Sequence, residues 1–298
     1  MGSPGVPPNG PKARPPDAPA GPGAPLPGMP SALDPKTFER LRTLLHARTG
    51  IHLGPGKLPM VQSRLNRRLR HLGLGTYPEY LAWLESDPGG AEWTAFINAL
   101  TTNLTRFFRE EHHFSKLTQW LRSLDPLPRP IRVWCAGCST GEEPYSVAMV
   151  LHAEFPGSPA RILATDLDSA VLQEARAGIY DQARVKDLPA AWLRLAFLKG
   201  RGGQAGRVRV RPEVGALVDF HPMNLLEGNW PGPSSFEVIF CRNVMIYFDK
   251  ETQREIVRRF HRTLVPGGLL MVGHSESLMD ASLGFESLGG TVFRRRDP

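Results

Sequence analysis

The chain has 298 residues, 41% of them hydrophobic, and a formal net charge of +7, which suits an acidic partner without choosing among nucleic acid, lipid and protein. No run of about 18 apolar residues occurs, so no transmembrane helix is expected, and the N-terminus lacks the charged and apolar regions of a signal peptide. Three cysteines do not make a disulfide framework in a chain of this size, and an odd count fits a reducing compartment, so the cytoplasm is the expected location.

Residues 1–30 hold 11 Pro and 6 Gly and almost nothing to bury. They read as a disordered tail. A helical unit is expected over 31–121. "DPKTFERLRTLLHARTG" opens on Asp34 as N-cap, with Pro35 at the first helical position, and stops at Gly50. A helix over 57–72 puts Leu58, Val61, Leu65, Leu69 and Leu72 on one stripe, with Arg64, Arg67, Arg68 and His71 on the other side. Further helices are predicted over 77–85, 89–101 and 109–124, with no strand among them.

After "SLDPLPRP" the periodicity changes. "IRVWCAG", "RILATDLD", "VDFHPMNL", "FEVIFCRN", "GLLMVGHSES" and "TVFRRR" are short apolar runs, and helical stretches at 144–155, 169–176 and 250–264 alternate with them. That alternation predicts an α/β unit over 122–298, built on a parallel sheet covered on both faces. Between about 177 and 217 the alternation breaks. A helix near 187–198 and the hairpin-like "KGRGGQAGRVRVRPEVG" read as a small antiparallel insertion.

The stretch "VWCAGCSTGEEPYSVAM" carries the chemistry. A strand ends at Cys135, a turn holds Gly137 and Gly141, and a helix begins near Pro144. The spacing is not the G-x-G-x-x-G of dinucleotide folds. Glu142 and Glu143 would repel a pyrophosphate but suit a cationic, phosphate-free ligand such as S-adenosylmethionine. Asp166 ends the next strand 25 residues past Gly141, near the spacing at which an acidic residue takes ribose hydroxyls. "HPMNL" puts Asn224 and Leu225 at a strand end where an adenine fits, and Cys241-Arg242-Asn243 ends another strand. The C-x-x-C pair has no second pair to complete a zinc site and reads as packing. His112 and His113 are adjacent, so they are expected on different helix faces and not on one metal.

Taken together, "TTNLTRFFREEHHF", "RVWCAGCSTGEEPYS", "ILATDLD", "FHPMNL" and "FEVIFCRNVMIYFD…LVPGGLLMVGHSESL" resemble the bacterial chemotaxis-receptor glutamate O-methyltransferases, the CheR family. The resemblance runs over roughly 34–296 in the family's order. It implies a small all-α domain followed by a Rossmann-like methyltransferase domain carrying a small antiparallel β-subdomain. It implies transfer of a methyl group from S-adenosylmethionine, leaving S-adenosylhomocysteine, to glutamate side chains on the cytoplasmic domains of chemoreceptors, in chemosensory adaptation. Carried over residue by residue, it implies cofactor contacts at Asn103, Thr105, Arg109, Ala136, Glu142, Asp166, Asn224, Leu225, Cys241 and Arg242. It implies Tyr247 near the transfer site, where Arg109 is expected to orient the incoming carboxylate.

The expected partners are receptor helices, met by Arg64, Arg67 and Arg68. A receptor C-terminal peptide docks on the β-subdomain in some members of the family, and the Gly-rich loop "GRGGQAGR" leaves that dependence open. A monomer is expected, with neither nucleic-acid binding nor membrane insertion. Three alternatives stand beside this reading, one of them a methyltransferase acting on another acidic substrate. A nucleic-acid methyltransferase typically carries an N/D-P-P-Y-type loop where this chain has "CRNVMIYF". A non-catalytic S-adenosylmethionine-binding module would show the same binding residues.

Overall fold

The helical pattern at the start of the chain folds into four helices around their own apolar core. The computed structural model describes residues 31–276 and 283–296. The Pro/Gly-rich segment 1–30 and the end of the "HSESL" motif at 277–278 lie outside the described residues. Helix α1 (Pro35–Thr49) starts where the Asp34 carboxylate accepts from the Thr37 N–H at 3.0 Å, and it ends at Gly50 in the left-handed conformation. Helix α2 (Leu58–Leu72) follows a single 3₁₀ turn over Pro55–Lys57. Val61, Leu65 and Leu69 are buried as the stripe requires, whereas Leu58 and Leu72 at its ends are only partly so. Helix α3 (Tyr77–Ser86) opens on a capping box of Thr76 and Glu79, and α4 (Ala91–Leu100) closes the unit. Leu45, Leu65, Tyr80 and Phe96 are fully enclosed between these helices.

Helix α5 (His112–Arg122) was expected with that unit. It packs on the sheet instead, where Phe114, Leu117 and Leu121 share a core with Val133 and Val147. The sheet unit then runs β1 (Ile131–Ala136), α6 (Glu142–Glu154), β2 (Ala160–Asp166) and α7 (Ser169–Ala177). After the insertion come β6 (Val218–Pro222), β7 (Phe236–Cys241), α10 (Lys250–Thr263), β8 (Leu264–Val272), β9 (Phe285–Ser287) and β10 (Val292–Arg295). The strand order is β6-β2-β1-β7-β8-β10-β9. All six residues of β7 are buried, as expected of a strand covered on both faces.

The sheet is not wholly parallel. β6, β2, β1, β7 and β8 are parallel, but β10 runs antiparallel to both β8 and β9. Only residues 288–291 separate β9 from β10, too few for the crossover that a parallel pair needs. Helix α6 also starts two residues earlier than Pro144. Its first backbone bond, from the Tyr145 N–H to the Gly141 carbonyl at 3.1 Å, lies beyond the proline, whose missing N–H therefore costs nothing.

The insertion comprises β3 (Ile179–Asp181), α8 (Ala190–Ala196), β4 (Phe197–Lys199), β5 (Arg207–Val210) and α9 (Pro212–Gly215). Its strands form a separate antiparallel sheet of order β3-β5-β4. The expected hairpin is β4–β5, and β3 adds a third strand. Among the described residues no helix is long and apolar enough to cross a membrane.

Candidate active site

The strand order reverses at β1, which pairs with β2 on one side and β7 on the other. In open α/β sheets ligands bind at such a point, beyond the carboxyl ends of the strands. A cavity of about 510 Å³ lies there. Residues that end or follow all five parallel strands border it: Gly137, Asp166, Met223, Arg242 and His274. The opposite wall comes from the segment after α1 and from the linker 101–109 between the two units.

The glycine turn after β1 keeps this cavity open. Gly137 has φ 81°, and a β-carbon there would lie 2.3 Å from the Val244 Cγ2. Only glycine tolerates both the conformation and the approach. The turn then delivers the Ser139 N–H to Asp166 Oδ2 at 2.8 Å, while Oδ1 accepts from the Asp168 N–H at 2.9 Å. Two of the four lone-pair sites of Asp166 are thus used, and the rest remain for a ligand. Burial pushes this carboxyl up to about 6.

The two glutamates at the start of α6 diverge. Glu142, expected as a cofactor contact, does not border the cavity. It accepts from the Thr140 hydroxyl at 2.7 Å and pairs with Arg184 of the insertion. Burial raises its pKa despite those partners. Glu143 borders the cavity. Successive helical residues project about 100° apart, so only one of the pair can face the ligand.

Glu143 Oε2 accepts from Arg242 Nε at 2.6 Å, and its Oε1 is buried without a hydrogen-bond partner. Arg242 is buried at the cavity wall; its Nη1 donates to the Arg109 carbonyl and to His113 Nδ1 at 3.2 Å, with Glu110 Oε2 at 3.8 Å. His113 accepts at Nδ1, so it must donate at Nε2, 3.0 Å from the Gly290 carbonyl. Burial first, and the Arg242 charge second, hold its pKa down to about 4, which keeps the ring neutral. His112 Nε2 reaches the same carbonyl at 2.8 Å. The two histidines therefore converge rather than facing apart, because His112 is the first residue of α5 and lies beside the β9–β10 turn.

The linker is fastened to the sheet unit. Asn103 Nδ2 donates to Asp168 Oδ2 at 2.8 Å, Thr101 Oγ1 donates to the same oxygen at 2.7 Å, and the Ser139 hydroxyl donates to the Asn103 carbonyl at 3.3 Å. Asn103, Thr105 and Arg109 all border the cavity. Arg109 is half-buried, and its Nη1 donates to the Leu104 carbonyl at 2.9 Å. Tyr247 borders the cavity in a 3₁₀ turn after β7, and its carbonyl accepts from the His52 N–H at 2.7 Å. Asn224 and Leu225 line the far side; Asn224 Nδ2 already donates to the Arg48 carbonyl at 2.8 Å. Ala136 and Cys241 are fully buried one residue behind Gly137 and Arg242, so their side chains do not reach the cavity.

The three arginines expected at a docking face have different duties. Arg64 donates to the carbonyls of Leu100 at 3.0 Å and Thr101 at 2.6 Å and to the Thr102 hydroxyl at 3.2 Å. It caps α4. Arg68 makes a two-pronged bond to Glu92. Arg67 is exposed on α2, next to exposed Arg70 and His71.

Sequence comparison decides the family. Residues 36–101 match the all-alpha domain of the CheR methyltransferases, and residues 103–294 match their SAM-binding domain. The chain belongs to the CheR methyltransferase family. A chemotaxis protein methyltransferase of Klebsiella aerogenes is 50% identical over 86% of this chain and 88% of its own. One from Escherichia coli K12 is 48% identical over 88% and 91%, and chemotaxis protein methyltransferase 2 of Pseudomonas aeruginosa is 47% identical over 86% and 91%. This CheR-family chain is therefore an S-adenosylmethionine-dependent methyltransferase.

The residues present fit that cofactor. Two carboxylates, Glu143 and Glu110, surround the single Arg242 guanidinium, and the Glu143 oxygen without a partner is the acceptor that a cationic ligand needs. Asp166 has lone pairs left for ribose hydroxyls, and Met223, Leu225 and Val244 supply apolar wall.

Proposed function

We propose that this methyltransferase esterifies glutamate side chains on the cytoplasmic helices of chemoreceptors, forming γ-glutamyl methyl esters in chemosensory adaptation. The observation that carries the reading is the division of charge across one cavity. The inner lining holds the buried carboxylate of Glu143, shared with Arg242, and that of half-buried Asp166, while Lys57 and His52 are exposed at the mouth, His274 lies 3.1 Å from the Glu110 carboxylate and Arg109 stands half-buried. That division suits a cationic cofactor inside and an anionic acceptor arriving from outside.

Bound S-adenosylmethionine supplies a methyl group on a positively charged sulfur, whose departing thioether is neutral. Glu143 and Asp166 hold the cofactor's cationic and ribose ends. A glutamate carboxylate has an unperturbed pKa near 4.3 and is ionised at neutral pH, so no residue of the chain must remove a proton. The residues act by positioning and by excluding water. Arg109 orients the acceptor carboxylate, its guanidinium braced on the Leu104 carbonyl, and Tyr247 fixes it through its hydroxyl. The relatives' name, chemotaxis protein methyltransferase, supports the receptor as acceptor.

The test is methyl transfer from labelled S-adenosylmethionine to purified receptor cytoplasmic fragments. The reading predicts label that base releases, as an ester requires. Arg109→Ala should lower turnover by about a hundredfold, in the range of a lost positioning contact, and weaken cofactor binding far less. Equal losses in turnover and in calorimetric cofactor affinity would remove Arg109 from the acceptor side.

A further inference from the structure

Among the described residues the large apolar side chains left exposed are Leu104 at 79%, Ile246 at 50%, Ile179 at 42% and Leu198 at 41%. Single exposed apolar residues are ordinary on any protein. The placement of these is not scattered. Ile179 and Leu198 flank Arg209 on the outer face of the three-stranded sheet. Leu104 and Ile246 both border the active-site cavity, one from the linker and one from the turn after β7.

Both are held rigidly where packing gives no reason for them. Along the linker, Thr101, Asn103 and Thr105 are half-buried while Thr102, Leu104 and Arg106 are exposed, the alternation of an extended segment with one face inward. The Leu104 carbonyl is clamped by Arg109, and Asn103 before it is tied to Asp168 and Ser139. The Ile246 N–H donates to Glu276 Oε1 at 3.3 Å, and the other oxygen of that carboxylate takes the N–H groups of Asn243 at 2.8 Å and Gly273 at 2.6 Å. Met245, on one side of Ile246, is buried, and Tyr247, on the other, is half-buried and borders the cavity.

We propose that Leu104 and Ile246 read the acceptor sequence: they receive apolar side chains that flank the target glutamate while its carboxylate enters between Arg109 and Tyr247. The inference rests on the glutamate reading and extends it to the class of segment accepted. The acceptor carries apolar residues beside the target glutamate on the same face, and further acidic residues where Lys57 and His52 stand exposed at the mouth. Carboxylates alone do not satisfy this mouth, because two of its contacts have no polar atom to offer.

The experiment uses the full chain, labelled S-adenosylmethionine and helical peptides with one glutamate, flanked one turn away on each side by leucine or by glutamine. The wild type should prefer the leucine-flanked peptide by about tenfold or more in kcat/KM, which corresponds to about 1.4 kcal/mol. Leu104→Gln and Ile246→Gln should each erase most of that preference through KM, with calorimetric S-adenosylmethionine affinity unchanged. Leu104→Ala and Ile246→Ala, which add no polar group, should weaken the preference partly. Ester formed on both peptides with equal efficiency by wild type, or a preference intact in both glutamine variants, would overturn the inference and leave the glutamate reading standing. No ester on any peptide or receptor fragment with the wild type would overturn both.

Discussion

At the residue scale, the informative contrast is between Glu142 and Glu143. The two neighbours share a motif, and nothing in the motif says which one faces inward. Helical geometry decides it, and that depends on where α6 begins. Gly141 in the left-handed conformation sets that start, and it sends Glu143 to the cavity and Glu142 to Arg184. Glu143→Gln is therefore expected to weaken S-adenosylmethionine binding by about tenfold, the scale of one lost charge-assisted contact. Glu142→Gln should leave that affinity within about twofold. Isothermal calorimetry on both variants checks the pair. Asp166 gives a second prediction. Its folded pKa is raised by burial to about 6 from 3.8. The sign follows: a raised carboxyl favours the folded state when protonated, so its contribution to stability declines as pH rises from about 4 to about 6. The ionised form is the stronger acceptor for ribose hydroxyls, so cofactor affinity should fall as pH drops through about 6. Asp166→Asn should flatten that dependence, and an unchanged pH profile would contradict the assignment.

At the element scale, the helices of the first unit and the strand–helix alternation of the second were legible because their apolar periods are long and capped. Asp34, Pro35 and Gly50 bound α1 as their chemistry requires. What the sequence hid is short or depends on the tertiary fold. Strands β3 and β9 have three residues each, too few to show a period. The destination of α5 is set by packing, since an amphipathic helix between two units fits either core. The intramolecular partners of Arg64 and Arg68 were hidden for a similar reason, whereas Arg67 stays exposed. A helical wheel separates Arg64 and Arg68 from the apolar stripe but cannot show that α4 lies within their reach. Arg64→Ala should lower stability by about 1–3 kcal/mol, because it leaves three acceptors at the end of α4 without their donor. It should also loosen the linker and raise the KM for S-adenosylmethionine. Arg67→Glu should leave the melting temperature unchanged and slow association with an acidic acceptor at low salt. A stability loss in the Arg67 variant, or none in the Arg64 variant, would reverse those roles.

At the scale of the whole molecule, the two units meet at the cavity. The end of α1 with residues 51–53 and the linker close it over the strand ends, and Asn224 reaches across to the Arg48 carbonyl. The convergence of several strand ends was visible in the sequence motifs, since each motif ends a strand of one sheet. The Arg242–Glu143–Glu110–His113 cluster was not, because its members come from the residue after β7, from α6, and from the turn into α5 and its first turn, and meet only through the fold. The net charge of +7 accords with the proposed acidic acceptor, and the proposal brings that acceptor in on the side of His52, Lys57 and Arg109. The measurement that tests this most directly is mapping of the transferred methyl groups by mass spectrometry, after incubation of the full chain with S-adenosylmethionine and a receptor cytoplasmic fragment. The account predicts base-labile methyl esters on glutamate side chains of the receptor helices. Base-stable methylation on lysine, arginine or a nucleic-acid base, with glutamates unmodified, would contradict it.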